Sequence, residues 1–145
     1  MISPAILLPV SVVIPVRNEA ETLSELLAAL LRQSAKPGEI VLVDTGSTDN
    51  SMAIAQGWAE AAAHAGIEFR VLQLPGGYPG AARNAGVRAA ANEWIAFIDA
   101  GIVPEDDWLS ALWTCNARVG KDALFGVCRF VSDSSLGRTL CALSY

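Results

Sequence analysis

The stretch VSVVIPVRNE, residues Val10 to Glu19, decides the fold. Val10 to Val16 is a near-continuous apolar run rich in Val and Ile, ended by Pro15 and then the polar Arg17-Asn18-Glu19. Such a run predicts a strand covered on both faces, the pattern of a parallel sheet. From Glu19 to Gln33, Leu23, Leu26, Leu27, Leu30 and Leu31 recur at helical spacing, with Glu19, Glu21 and Glu25 favouring the dipole near its start. Lys36-Pro37-Gly38 breaks that helix.

The cycle then repeats. Ile40 to Val43 predicts a second buried strand ending at Asp44, then a turn through Thr45-Gly46-Ser47-Thr48-Asp49 and a helix to about Ala65, capped by Ser47, Asp49 or Asn50. Phe69 to Leu74 reads as a third strand, and the loop Pro75 to Gly80 opens a helix from Ala81 to Ala91. A fourth strand is expected over Glu93 to Ile98, ending at Asp99. A helix follows over Asp106 to Val119, and a fifth strand over Leu124 to Val131. Strands alternating with helices specify a doubly wound, mostly parallel α/β sheet with helices on both faces, as a single domain over residues 1–145. Its topology sets Arg17, Asp44 and Asp99 along the carboxyl edge of the sheet, where open α/β sheets bind ligands.

Composition narrows the function. The 145 residues are 52% hydrophobic and 17% charged, which excludes a disordered tail. Mean hydropathy is +0.38, high for a soluble domain. A net charge of -5 argues against nucleic acid as a partner, since no broad basic face is available for phosphates. Cys115, Cys128 and Cys141, with a single His, do not have the spacing of a zinc site and read as buried free thiols. The apolar opening carries Pro4, Pro9 and Pro15, lacks a basic leader and is shorter than the roughly 20 residues of a membrane span. No transmembrane segment is expected, and the cytoplasm, or the inner face of the membrane, is the expected location.

Four runs, VSVVIPVRNE, EIVLVDTGSTDNS, GAARNAGVRAA and EWIAFIDAGIVPEDDWL, occur in this order, each at a ligand loop of the strand-helix pattern. Together they resemble the nucleotide-sugar-binding half of family 2 glycosyltransferases, which have the GT-A fold. The likeness covers about Val10 to Leu112. It implies a nucleoside diphosphate sugar as donor, transferred with inversion to an acceptor hydroxyl on a glycan, lipid or small molecule.

The resemblance also assigns residues. Pro15, Arg17 and Glu19 would line the base pocket, where relatives commonly carry an aromatic residue at the position of Arg17; a planar guanidinium can stack there too. Asp44 would contact the nucleotide, and Thr45 replaces a second carboxylate that reads the base in relatives. Gly80 and Arg83 would serve the phosphates or base, Gly80 by allowing close backbone approach and Arg83 by its charge. Asp99 would accept a ribose hydroxyl or a metal-bound water. Relatives carry Asp-x-Asp here for Mn2+ or Mg2+, whereas this chain reads Asp99-Ala100-Gly101, which puts metal dependence in doubt.

Purely structural readings accompany these assignments. Glu19 is also a first-turn acidic residue, Asp44 a turn organiser, Asp49 a helix cap, and Arg17 and Arg83 surface cations. The general base of inverting relatives lies downstream in an acceptor-binding half, and no residue before Tyr145 matches it, so the catalytic residue is unassigned. A donor portion of a transferase, with little turnover by itself, is therefore expected. A binding module without catalysis is the alternative. A nucleotidyltransferase fits less well, because it would carry a Gly-rich basic loop directly after the first strand. An uncovered sheet edge favours self-association.

Overall fold

A computed structural model describes residues 6–124 and 126. Among the described residues four parallel strands form one sheet: β1 (Ile6–Val16), β2 (Ala35–Asp44), β3 (Glu68–Gln73) and β4 (Trp94–Phe97), in the spatial order β3-β2-β1-β4. Five helices connect or follow them: α1 (Leu23–Arg32), α2 (Ser51–Gly57), α3 (Ala59–His64), α4 (Pro79–Ala89) and α5 (Trp108–Val119). Among the described residues no helix is long and apolar enough to cross a membrane.

The near-continuous apolar pattern of β1 arises because both its faces are covered. Val12, Ile14 and Val16 pack with Leu23, Leu26, Leu27 and Leu30 of α1, Ala55 of α2 and Ala62 of α3. Burying each of these leucines contributes about 1.5–3 kcal/mol. Val13, Val41 and Val43 face the other way, against Ala82, Ala85 and Ala89 of α4. Leu109 of α5 covers Leu8 and Val10, beside an edge-to-face pair of Trp94 and Trp113. The sheet is thus doubly wound, as the sequence predicts.

Several boundaries move, each for a physical reason. Helix α1 starts at Leu23 rather than Glu19: a turn precedes it, in which the Thr22 and Leu23 N–H groups both reach back to the Glu19 carbonyl, while the Glu19 and Ala20 N–H groups donate to Ser51 Oγ and Asp49 Oδ2. Lys36-Pro37-Gly38 lies inside β2. Pro37 lies beside the irregularity in the β1–β2 register between Leu8 and Ser11, where the ladder is interrupted. The helix expected to run to Ala65 divides at Trp58, whose indole packs into the core and donates to Ser24 Oγ at 3.4 Å. Strand β4 has only four residues. Cys115 is exposed rather than buried, since it lies on the outer side of α5. Cys128, Cys141 and the expected fifth strand, apart from Leu124 and Gly126, lie outside the described residues.

One feature was not foreseen from sequence. Glu39, fully buried in β2, accepts bonds from Ser11 Oγ and from the Ala91 N–H at 2.8 Å. Its second oxygen lies 3.1 Å from Arg70 Nε but accepts no hydrogen bond, because the Nε–H is directed at Glu68. The contact is therefore electrostatic. It ties β2 and β3 to the connection between α4 and β4, at the amino edge of the sheet.

Candidate functional site

The opposite, carboxyl edge contains the point where the strand order reverses. Strand β1 bonds to β4 only as far as Val13, whose carbonyl accepts from Ile98 N–H at 3.4 Å. Beyond it, the Val16 carbonyl accepts from Thr45 N–H on the β2 side. Pro15 therefore turns its nitrogen toward β4 where that ladder has ended, so no hydrogen bond is lost. The strand order reverses here, between β1 and β4, and crevices at such points are where open α/β sheets bind ligands.

One wall is built from the loops after β1 and β2. Asn18, at φ 56°, accepts the Thr48 N–H at 2.8 Å through Oδ1, and its own N–H donates to Ser47 Oγ at 2.9 Å. Asp49 accepts from Ala20 N–H at 3.1 Å, Ser51 N–H at 2.9 Å and Ser51 Oγ at 2.5 Å. The Ser51 hydroxyl bond, and then its N–H, hold the Asp49 carboxyl below its ordinary pKa, because both stabilise the ionised form. Asn18, Ser47 and Ser51 were not singled out as site residues. Their signal in sequence was only that short polar side chains fill both loops.

The expected site residues divide by what already engages them. Asp44 is buried, and its carboxylate accepts the Gly46 and Ser47 N–H groups at 3.2 Å, which makes it the organiser of that turn. Gly46, at φ 87°, allows the turn to lie close to Pro75 and Gly76. Thr45 is buried, with Oγ1 donating to the Val16 carbonyl at 3.3 Å. Glu19 accepts Thr22 Oγ1 at 3.0 Å and is occupied locally. Gly80 is exposed in the first turn of α4, with nothing near its Cα that would exclude a side chain. Arg17 is exposed and forms no ion pair among the described residues.

Arg83 and Asp99 meet directly. Arg83 Nη2 donates to Asp99 Oδ1 at 2.5 Å, joining α4 to the end of β4, with side chains 36% and 54% exposed. A pair this open to solvent contributes about 0–1 kcal/mol. It leaves the guanidinium accessible, and Arg17 stands at the end of the neighbouring strand. Although the chain is acidic overall, two arginines stand at these strand ends, one of them without an ion pair among the described residues.

The same geometry tests the metal that the sequence resemblance implied. Among the described residues no three His, Cys, Asp or Glu side chains gather as ligands. Asp99 is paired with Arg83, and Gly101 offers no side-chain oxygen. Mn2+ and Mg2+ take hard oxygen donors, commonly one or two carboxylates with the substrate phosphates; the side chains here offer one carboxylate, itself paired with a guanidinium, which is a poor set for either ion.

Residues 11–141 match the model of Glycosyl transferase family 2. Over 134 residues the chain is 34% identical to the uncharacterized glycosyltransferase EpsJ of Bacillus subtilis, covering 90% of this chain and 36% of that protein. The mannosyltransferase PcManGT of Pyrobaculum calidifontis, solved with GDP-Man and Mn2+, is 29% identical with a TM-score of 0.67, covering 75% of this chain and 32% of its own. TarS of S. aureus aligns with a TM-score of 0.69 at 24% identity, over 86% of this chain and 40% of that one. At that identity the likeness is one of fold. The chain thus spans well under half the length of each.

Proposed function

The chain belongs to glycosyl transferase family 2, and from that premise we propose that it is the donor-binding portion of an inverting glycosyltransferase. The observation that carries this reading is the reversal of strand order between β1 and β4, with Arg17 just beyond the end of β1 and the Arg83–Asp99 pair just beyond the end of β4. A nucleoside diphosphate sugar presents a flat base, a ribose diol and a diphosphate. In this reading Pro15, Arg17, Glu19 and the Asp44-Thr45 turn face the base and ribose, while Gly80, Arg83 and Asp99 border the diphosphate. PcManGT binds a nucleoside diphosphate sugar, GDP-Man, on a similar fold, which supports the same donor class here.

The acceptor hydroxyl oxygen forms a bond to the anomeric carbon from the face opposite the diphosphate. The bond from that carbon to the diphosphate oxygen breaks, and the nucleoside diphosphate departs with the electron pair. The hydroxyl proton goes to a general base, which no residue described here is assigned to supply. The acceptor, a glycan, lipid or small molecule, belongs to the same proposal.

Calorimetric titration of the full-length protein with UDP, GDP, dTDP and the matching sugar nucleotides tests this reading. Saturable binding with a clear preference for one base is expected. No binding by any of them would refute it. A second reading, a binding module without catalysis, rests on Thr45 and Gly101 standing where relatives carry carboxylates. Release of nucleoside diphosphate from a bound donor during sugar transfer would exclude that reading.

A further inference from the structure

Granting the donor site proposed above, we infer that this protein holds the donor diphosphate on the Arg83 guanidinium and needs no divalent ion to do so. The Asp99 carboxylate already has a fixed counter-charge, because Arg83 Nη2 lies 2.5 Å from its Oδ1. The two together carry no net charge. A second acidic side chain at residue 101 would leave one negative charge uncompensated beside an anionic ligand, and a cation would be needed to balance it. Gly101 removes that charge.

Nothing in the backbone requires glycine at this position. Its φ lies outside the left-handed region, and a Cβ there would meet no atom within 4 Å. The consequence of this glycine is therefore chemical, the loss of an oxygen ligand. Arg83 is suited to take over. Its remaining N–H groups have no partner among the described residues. A guanidinium fork can take two phosphate oxygens at once, where a point charge takes one. The Asp99 contact sets the fork beyond the end of β4, and Arg17 adds a second positive charge at the next strand end.

The test is calorimetric titration of the full-length protein with the preferred nucleoside diphosphate, in EDTA and then with Mn2+ or Mg2+. Wild-type affinity should agree within about twofold in all three conditions. Gly101→Asp should acquire metal dependence, with Mn2+ strengthening binding by about tenfold or more over EDTA. Arg83→Ala should weaken the diphosphate by about tenfold or more, while binding of the corresponding nucleoside, which has no phosphate, stays unchanged. Arg83→Lys, which keeps the charge and loses the fork, should fall between, and thermal unfolding checks that each variant is folded. Wild-type binding that is lost in EDTA and restored by Mn2+ would overturn this inference and leave the donor reading intact. No nucleotide binding in any condition would overturn both.

Discussion

Gly86 of α4 lies directly on Val13 of β1, so close that a Cβ at residue 86 would overlap the valine methyl groups. Val13 is fully buried and has little rotamer freedom, so it cannot turn aside. Gly86→Ala should therefore destabilise the fold. Overpacking costs about 1–3 kcal/mol, against about 1 kcal/mol gained by replacing a helical glycine with alanine. A lower urea midpoint is expected. Adding Val13→Ala, which opens space for the new methyl, should make the double variant less unstable than the sum of the two single changes. Simple additivity would contradict the close approach.

Arg17 gives the opposite prediction. It is exposed and makes no ion pair among the described residues, so Arg17→Ala should alter stability by no more than about 0.5 kcal/mol. Nucleotide affinity should nevertheless fall several-fold, and the loss should shrink at high salt, where exposed charges are screened. Arg17→Tyr, which supplies an aromatic face to the base, should recover part of that affinity. Equal binding by wild type and Arg17→Ala at low salt would remove this residue from the site.

At the other edge of the sheet, Glu39→Ala should destabilise without touching the ligand. It leaves the Ala91 N–H and the Ser11 hydroxyl without their acceptor and removes the buried partner of Arg70. Losses of this kind amount to about 2–4 kcal/mol. Glu39→Gln keeps one acceptor oxygen and should cost less. Urea unfolding measures both. Nucleotide affinity at a temperature where the variants remain folded should match wild type, because the network lies at the amino edge.

The contrast between these edges also marks what was legible in the sequence. The apolar runs of β1 and β2 and the leucine spacing of α1 predict buried strands and a covering helix, and both are present. The alternation predicts the carboxyl edge that gathers Arg17, Asp44 and Asp99. Partner choice was not legible. Asp44 accepts backbone N–H groups from its own turn, and Arg83 meets Asp99 across sixteen residues of chain. Periodicity reports which face a residue occupies, but not which of several nearby groups it bonds. Glu39 shows the same limit, since its partners come from three separate segments. The acceptors of the Glu19 and Ala20 N–H groups were not legible either, since Ser51 and Asp49 come from the loop after β2.

The hydrogen bonds that Asp49 accepts make it the source of a pH dependence whose sign can be worked out. Its carboxyl pKa lies below the ordinary value of about 4, first through the Ser51 hydroxyl bond and then through the Ser51 N–H. The unfolded chain therefore binds this proton more readily than the folded one. The stabilisation is present above the unfolded pKa and is lost as pH falls through the lower folded value. Wild-type stability should thus decline on acidification below about pH 4 more steeply than that of Asp49→Asn, whose amide cannot titrate. Urea midpoints measured from pH 6 down to pH 2 would show it, and parallel curves for the two proteins would mean that the Asp49 bonds to Ser51 and Ala20 do not form in solution.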